Sequence, residues 1–203
     1  MPHLTPYPLP HPKRNGFAST RRYYVGVGPF NVIGRAADLI VVLQEAPTVE
    51  DVTAVLVEHG EREPFRLTAA DVEALREAAP QLREVFAAAS VDEAVTRINA
   101  LLARYASPPR LTSHGGVPPW HLHADRDDDG PLVDWFMSST GLAMAFALAE
   151  RQRPPGGICA SESCRRPFAD PGGGSPRRYC SPRCATRERV AAHRRAPRDA
   201  RRP

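Results

Sequence analysis

The chain has 203 residues, of which 42% are hydrophobic, 25% charged and 7% aromatic, and its formal net charge is +4. That balance excludes a disordered polyelectrolyte and leaves enough apolar material for one packed body with a small satellite. The 22 Pro and 14 Gly exceed what a compact helical chain absorbs, so some stretches are expected outside that body. The charge is also divided unevenly. Residues 1–150 carry 13 basic and 19 acidic side chains, a net of −6, whereas residues 151–203 carry 14 arginines and 4 acidic groups, a net of +10. A polyanionic partner would be sought at the basic end.

Residues 1–23 are basic and rich in proline and read as a flexible arm. Residues 24–153 read as a helical body, with order beginning near Tyr24. From Asn31 to Gln44 the period suits a helix that turns Ile33, Ala37, Ile40 and Val41 or Leu43 to a core. Thr48 and Asp51 have capping-box spacing ahead of Val52, Val55 and Leu56, and Gly60 supplies a stop. The same signal recurs at Thr68 and Asp71, before an apolar run expected to end at Pro80, with a further short helix over Gln81–Ala88. It recurs again at Ser90 and Glu93, before the apolar face Ala94, Val95, Ile98, Leu101, Leu102 and Tyr105.

Pro108 and Pro109 close the helical series. Leu111–Ser113 and Trp120–Ala124 read as a small β-hairpin, with Trp120, Leu122 and Ala124 on one face and His121 and His123 on the other. Asp125–Gly130 is an acidic turn. A long helix then runs from Pro131 to about Gln152 and is apolar nearly all round, through Leu132, Val133, Phe136, Ala143, Met144, Ala147 and Leu148. No apolar leader follows the start. The stretch Trp135–Ala149, broken by Ser138-Ser139-Thr140, falls short of a bilayer crossing. A cytoplasmic chain with reduced thiols and no membrane partner is expected.

Residues 154–158 read as a linker, residues 159–196 as a compact finger and residues 197–203 as a basic tail. All four cysteines lie in the finger, as Cys159 and Cys164, then fifteen residues, then Cys180 and Cys184. Two close pairs joined by a loop suit a tetrahedral thiolate site. If Cys184 begins a helix, both sulfurs of the second pair face one point from its first turn. A return between short strands at Arg166–Ala169 and Arg177–Tyr179 would complete a treble-clef-like arrangement of knuckle, hairpin and helix. One structural Zn²⁺ per chain is the first reading, because so short a segment with few apolar side chains cannot bury a core of its own. An iron–sulfur centre, a redox-switched zinc site and disulfides are the alternatives.

The stretches RRPFAD (Arg165–Asp170), RRYC (Arg177–Cys180) and CATRERVAAHRR (Cys184–Arg195), with the paired cysteines, resemble the CGNR zinc-finger family. These are bacterial proteins that join an N-terminal helical domain, called ABATE, to a C-terminal finger and are described as stress-induced transcription regulators. Asn31, Asp38-Leu39-Ile40 and Trp120-His121-Leu122-His123 extend the resemblance into the body. It implies that Cys159, Cys164, Cys180 and Cys184 bind zinc. The family's Cys-Gly-Asn-Arg signature corresponds here to Cys184-Ala185-Thr186-Arg187, so its Gly and Asn are replaced.

The fold expected is therefore mainly α, with a small β-hairpin in the body and a C-terminal treble-clef-like zinc finger. The first functional reading is a DNA-binding transcription regulator. A finger helix over Ala185–Ala196 would offer Arg187, Arg189, Arg194 and Arg195, assisted by Arg177 and Arg178, with Val190 packed towards the hairpin. The body would form a homodimer or sense a small-molecule or protein effector. The second reading is a protein-interaction or ligand-sensing module with a purely structural finger, its pocket lined by Trp120, His121, His123 and Trp135. A metal-assisted enzyme comes last, resting on His121, His123 and Asp125, Asp127, Asp128 and Asp129. Those carboxylates are expected to be solvent-exposed in a turn beside a helix start. No nucleotide loop, HExxH or nucleophile elbow is present.

Overall fold

The computed structural model describes residues 28–61, 66–112, 121–127, 130–172 and 174–195. The expectations for the arm, for Tyr24, for Trp120, for Asp128 and Asp129 and for the basic tail lie outside the described residues. Among the described residues the body has five α-helices, a short 3-10 turn (Leu43–Glu45) and one two-stranded sheet. Helix α1 spans Pro29–Val42, α2 Val49–Glu58, α3 Ala69–Phe86, α4 Val91–Tyr105 and α5 Leu132–Arg151. Strands β1 (Arg110–Thr112) and β2 (His121–His123) pair antiparallel, with Leu111 opposite Leu122.

The helix starts follow their local chemistry. In α2 and α3 the threonine hydroxyl accepts from the third backbone N–H, and the aspartate accepts from the threonine N–H. These bonds hold the Asp51 carboxyl below its ordinary pKa, the backbone N–H of Thr48 contributing most and its hydroxyl next. In α4 only half the box forms. Ser90 accepts from the Glu93 N–H, but the Glu93 carboxylate reaches the Ala89 N–H instead. Gly60 sits at φ 88°, the left-handed conformation that stops α2 at little steric cost.

Pro80 does not end α3, which continues to Phe86 as one helix and absorbs the separate helix expected over Gln81–Ala88. Pro80 is exposed, so the carbonyl it leaves unbonded can be hydrated, while Ala78, Ala79, Leu82, Val85 and Phe86 continue the buried stripe. Continuous apolar burial outweighs the local cost of a proline.

The core gathers Ile33, Leu39, Ile40, Val52, Leu56, Leu75, Leu82, Phe86, Ile98, Leu101, Phe136 and Met144. Helix α5 lies against α1, α3 and α4. A Cβ on Gly141 would meet the Leu102 side chain at 3.2 Å, so the glycine permits the close approach of α5 to α4. All-round burial of α5 is not observed: Phe146 is 55% exposed, because three neighbours leave one stripe uncovered. Among the described residues α5 is also long and apolar enough to cross a membrane, whereas the stretch Trp135–Ala149 had suggested a shorter segment. Its packing on three helices accounts for that apolar composition.

The finger is seated directly on this body. Strands β3 (Gly156–Ile158) and β4 (Pro167–Ala169) pair antiparallel, and helix α6 spans Pro182–Arg195. The expected return strand at Arg177–Tyr179 does not form. The chain before the first cysteine takes its place against β4, and Arg178 offers one carbonyl to the Ala160 N–H at 2.8 Å. Gly156 explains why the upstream segment can pair there. A Cβ on it would lie 2.2 Å from the Phe168 carbonyl oxygen and 2.9 Å from the Phe86 ring. Ile158 and Ala169 pack onto the body core, and Arg83 donates to the Arg165 carbonyl at 3.1 Å.

Candidate metal centre

The finger's own apolar core is small: Cys159, Phe168 and Cys184 are buried, with Cys164, Tyr179 and Cys180 packed against them. Two local motifs bring the sulfurs together. After Cys159 a tight turn forms, in which the N–H groups of Cys164 and Arg165 both donate to the Ser161 carbonyl. Arg165 takes a left-handed φ of 54° to leave that turn. At the second pair, the Ser181 hydroxyl accepts from the Cys184 N–H at 3.3 Å and its carbonyl from the Ala185 N–H, which caps α6 and places Cys184 in its first turn. Pro182 occupies the start of that turn, where its missing N–H costs nothing.

The four sulfurs lie within 4.8 Å of one another, and Cys164 and Cys184 are each 3.7 Å from Cys180. Four thiolates bound at 2.3 Å around a tetrahedral cation would be about 3.8 Å apart. A disulfide would need about 2.05 Å, and all four cysteines are free. The donor set therefore fits a closed tetrahedral thiolate shell, with no coordination position left for substrate. Electrostatics favour the same conclusion. Burial first, and then the neighbouring thiols of Cys164, Cys159 and Cys184, push the Cys180 thiol up to about 12, while the Ser181 hydroxyl pulls Cys184 down to about 7. Four anions cannot share this space without a cation, so metal uptake here must release protons and weaken as pH falls.

Side chains of α6 lock the first cysteine pair to the helix. Arg187 donates to the Ser163 hydroxyl at 2.6 Å, and the Ser161 hydroxyl donates to Glu188 at 2.7 Å. Arg195 lies 3.9 Å from the same glutamate. The face of α6 carrying Cys184, Arg187, Glu188, Ala191 and Arg195 is thus its inner face. Val190, expected to pack inwards, is 43% exposed on the other side. Arg183, Arg189 and Arg194 are exposed. Arg177 is bonded to the Cys180 carbonyl at 2.7 Å and lies over the Phe168 ring, and Arg178 lies over Tyr179. Of the replaced signature positions, Ala185 is half-buried and Thr186 exposed.

In the body, His121 and His123 are brought together, their Nε2 atoms 3.0 Å apart. Asp125 is not the exposed turn residue expected. It is 5% exposed, 2.9 Å from His123 Nδ1 and 3.2 Å from Arg110. The short β-ribbon folds the carboxylate under its own histidine, where two partners offset its desolvation. Asp127 is exposed as expected. Trp135 is engaged elsewhere, beneath the Arg35 guanidinium at 4.6 Å and edge-on to Phe136. Arg35 was not singled out from sequence. It is 2% exposed, paired with Glu61 and bonded to Ser139 at 3.0 Å. Burial lowers its pKa and Glu61 opposes that shift. Its position inside the apolar period of α1 was the available signal.

Residues 157–196 match the family model of the CGNR zinc finger. Residues 16–151 match the ABATE family, described as "Putative stress-induced transcription regulator". Neither family is a catalytic one, in keeping with a non-enzymatic regulator. Comparison with curated proteins gives no match. The ABATE match covers more than half of the chain, and with the four-cysteine finger docked behind it, the chain belongs to the ABATE family.

Proposed function

We propose that this chain is a zinc-dependent, DNA-binding transcription regulator. Cys159, Cys164, Cys180 and Cys184 would hold one structural Zn²⁺, and the outer face of α6 would meet the nucleic acid. The carrying observation is that α6 is anchored by its inner face to the cysteine cluster and turns Arg183, Arg189 and Arg194 to solvent. The sharp charge division, −6 over residues 1–150 and +10 over residues 151–203, supports the same surface. The treble-clef reading is supported by a turn that supplies two sulfurs and a helix whose first turn supplies the last. Arg177 and Arg178 remain candidates for phosphate contact at the loop before α6. Arg187 and Arg195 are assigned to bracing the finger, because both are engaged on the inner face of α6, with Ser163 and Glu188, whereas Arg177 and Arg178 lie on the loop before it.

The body's role in this reading is dimerisation or effector sensing. Leu111 and Leu122, opposed on the β1–β2 ribbon and 67% and 43% exposed, form the apolar pair that a second subunit would cover. A single finger offers a small interface, so two copies would supply the area that specific binding needs.

Replacing Arg189 and Arg194 together by Ala should reduce DNA affinity without releasing zinc. If both touch phosphate, the salt dependence of log K should fall by about 1 for each, equally on all sequences. If either reads a base edge, discrimination should fall by about 1–3 kcal/mol. Fluorescence anisotropy at several salt concentrations, with zinc quantified in both proteins, distinguishes these outcomes. Unchanged binding by the double variant would remove α6 from the recognition surface and favour the protein-interaction reading.

A further inference from the structure

We propose that His121 and His123 form a second metal site, separate from the four cysteines, which takes a divalent transition cation of the nickel or copper type through both Nε2 atoms. Strand β2 dictates the pairing, because residues two apart project from one face. The two Nε2 atoms are 3.0 Å apart. Nitrogens bound at 2.0–2.1 Å on adjacent corners of a square-planar or octahedral shell are separated by about 2.9 Å, whereas a tetrahedral shell needs about 3.4 Å. The observed spacing suits the former, which is the preference of Ni²⁺ and Cu²⁺ with imidazole ligands. The rings are inclined by 66° with centroids 4.8 Å apart. Two rings joined end to end through a 3.0 Å contact would stand farther apart, so the two lone pairs are tilted from the line joining them.

The surroundings of His123 are those of a metal ligand. Its Nδ1 lies 2.9 Å from the Asp125 carboxylate, which is itself held at 3.2 Å by Arg110. A carboxylate there takes the Nδ1–H, fixes the tautomer and leaves the Nε2 lone pair facing His121. Asp125 is 5% exposed and the His123 side chain 10%, so this orientation is built into the fold rather than left to a mobile surface group. Without a cation, one Nε2–H bridges to the other nitrogen. A bound metal replaces that bridge as the His121 proton moves from Nε2 to Nδ1, so that each neutral imidazole offers one Nε2 lone pair. This site is independent of the DNA-binding reading and stands or falls without it.

The test uses full-length protein already loaded with zinc, titrated with Ni²⁺ while zinc retention is followed by elemental analysis. One nickel per chain is expected with zinc retained. His121→Gln and His123→Gln should each abolish it, and Asp125→Asn should weaken it 10- to 100-fold by loosening the tautomer. Because a histidine variant could also disturb the ribbon, imidazole nitrogen NMR on the wild type supplies a second readout. The His121 and His123 Nε2 signals should broaden first as paramagnetic nickel is added. Absence of nickel uptake, uptake that survives in both histidine variants, or binding that leaves those two signals sharp would overturn the assignment.

Discussion

Cys184→Ser is expected to abolish stoichiometric zinc and unfold the finger, while leaving the helical body in place. The finger's buried core consists of two cysteines and Phe168, too little apolar area to replace a structural metal. Zinc binding supplies about 10–16 kcal/mol to the folding of isolated finger-sized units at neutral pH. The body core, from Ile33 to Leu148, contains no cysteine and keeps its own packing. It loses the cover of Ile158 and Ala169, the bond from Arg83 to the Arg165 carbonyl and the exposed Arg166–Asp38 pair, so a small fall in body stability should accompany the loss of metal. Elemental analysis after dialysis, paired with far-ultraviolet circular dichroism, checks both halves. Unchanged zinc in the variant would contradict the ligand set, and loss of most helical signal would contradict the independence of the body.

Phe136→Ala should cost about 3–5 kcal/mol in reversible denaturation, the range for emptying a buried phenyl site. Phe136 is 2% exposed on α5, the helix that touches α1, α3 and α4, so no single neighbour can collapse into the space. Its ring also lies 5.0 Å from the Arg35 guanidinium and edge-on to Trp135. Removing it strips one aromatic face from a buried cation whose charge already carries a desolvation cost. A loss below about 1 kcal/mol would mean that the α5 interface is loosely packed and the core lies elsewhere.

Features written in short-range spacing are legible in the sequence. Thr48, Thr68 and Ser90 announce their helices because a cap and its partner sit three residues apart, whatever the rest of the chain does. The cysteine pairs declare a thiolate site for the same reason, and the alternation of His121 and His123 places both on one face of a strand. Errors arose where distant contacts decide the local outcome. Pro80 reads as a terminus, yet α3 runs through it because its apolar stripe stays buried on both sides. Arg177–Tyr179 reads as the partner of β4, yet Gly156 permits a closer approach from the other end of the finger.

Charged residues show the same limit. Asp125, read as a solvated turn residue, is buried beneath its own strand, and Arg35, placed by its period on the buried face of α1, keeps its charge there through Glu61, 26 residues away. Arg187 has the composition of a DNA contact, and it also donates to Ser163, 24 residues away, a partner that no local spacing announces. Composition located the basic helix correctly. Which of its faces turns outwards depended on contacts made across the finger.

The most direct test of DNA recognition is equilibrium binding of the zinc-loaded, full-length protein to random and genomic DNA fragments across a salt series. Affinity should fall steeply and linearly in log–log coordinates as salt rises, with a subset of genomic fragments retained above that background. Chelation of the zinc should abolish the sequence preference by releasing α6 from its anchor. Binding that is absent at low salt, or equally strong after zinc removal, would contradict a zinc-held recognition helix.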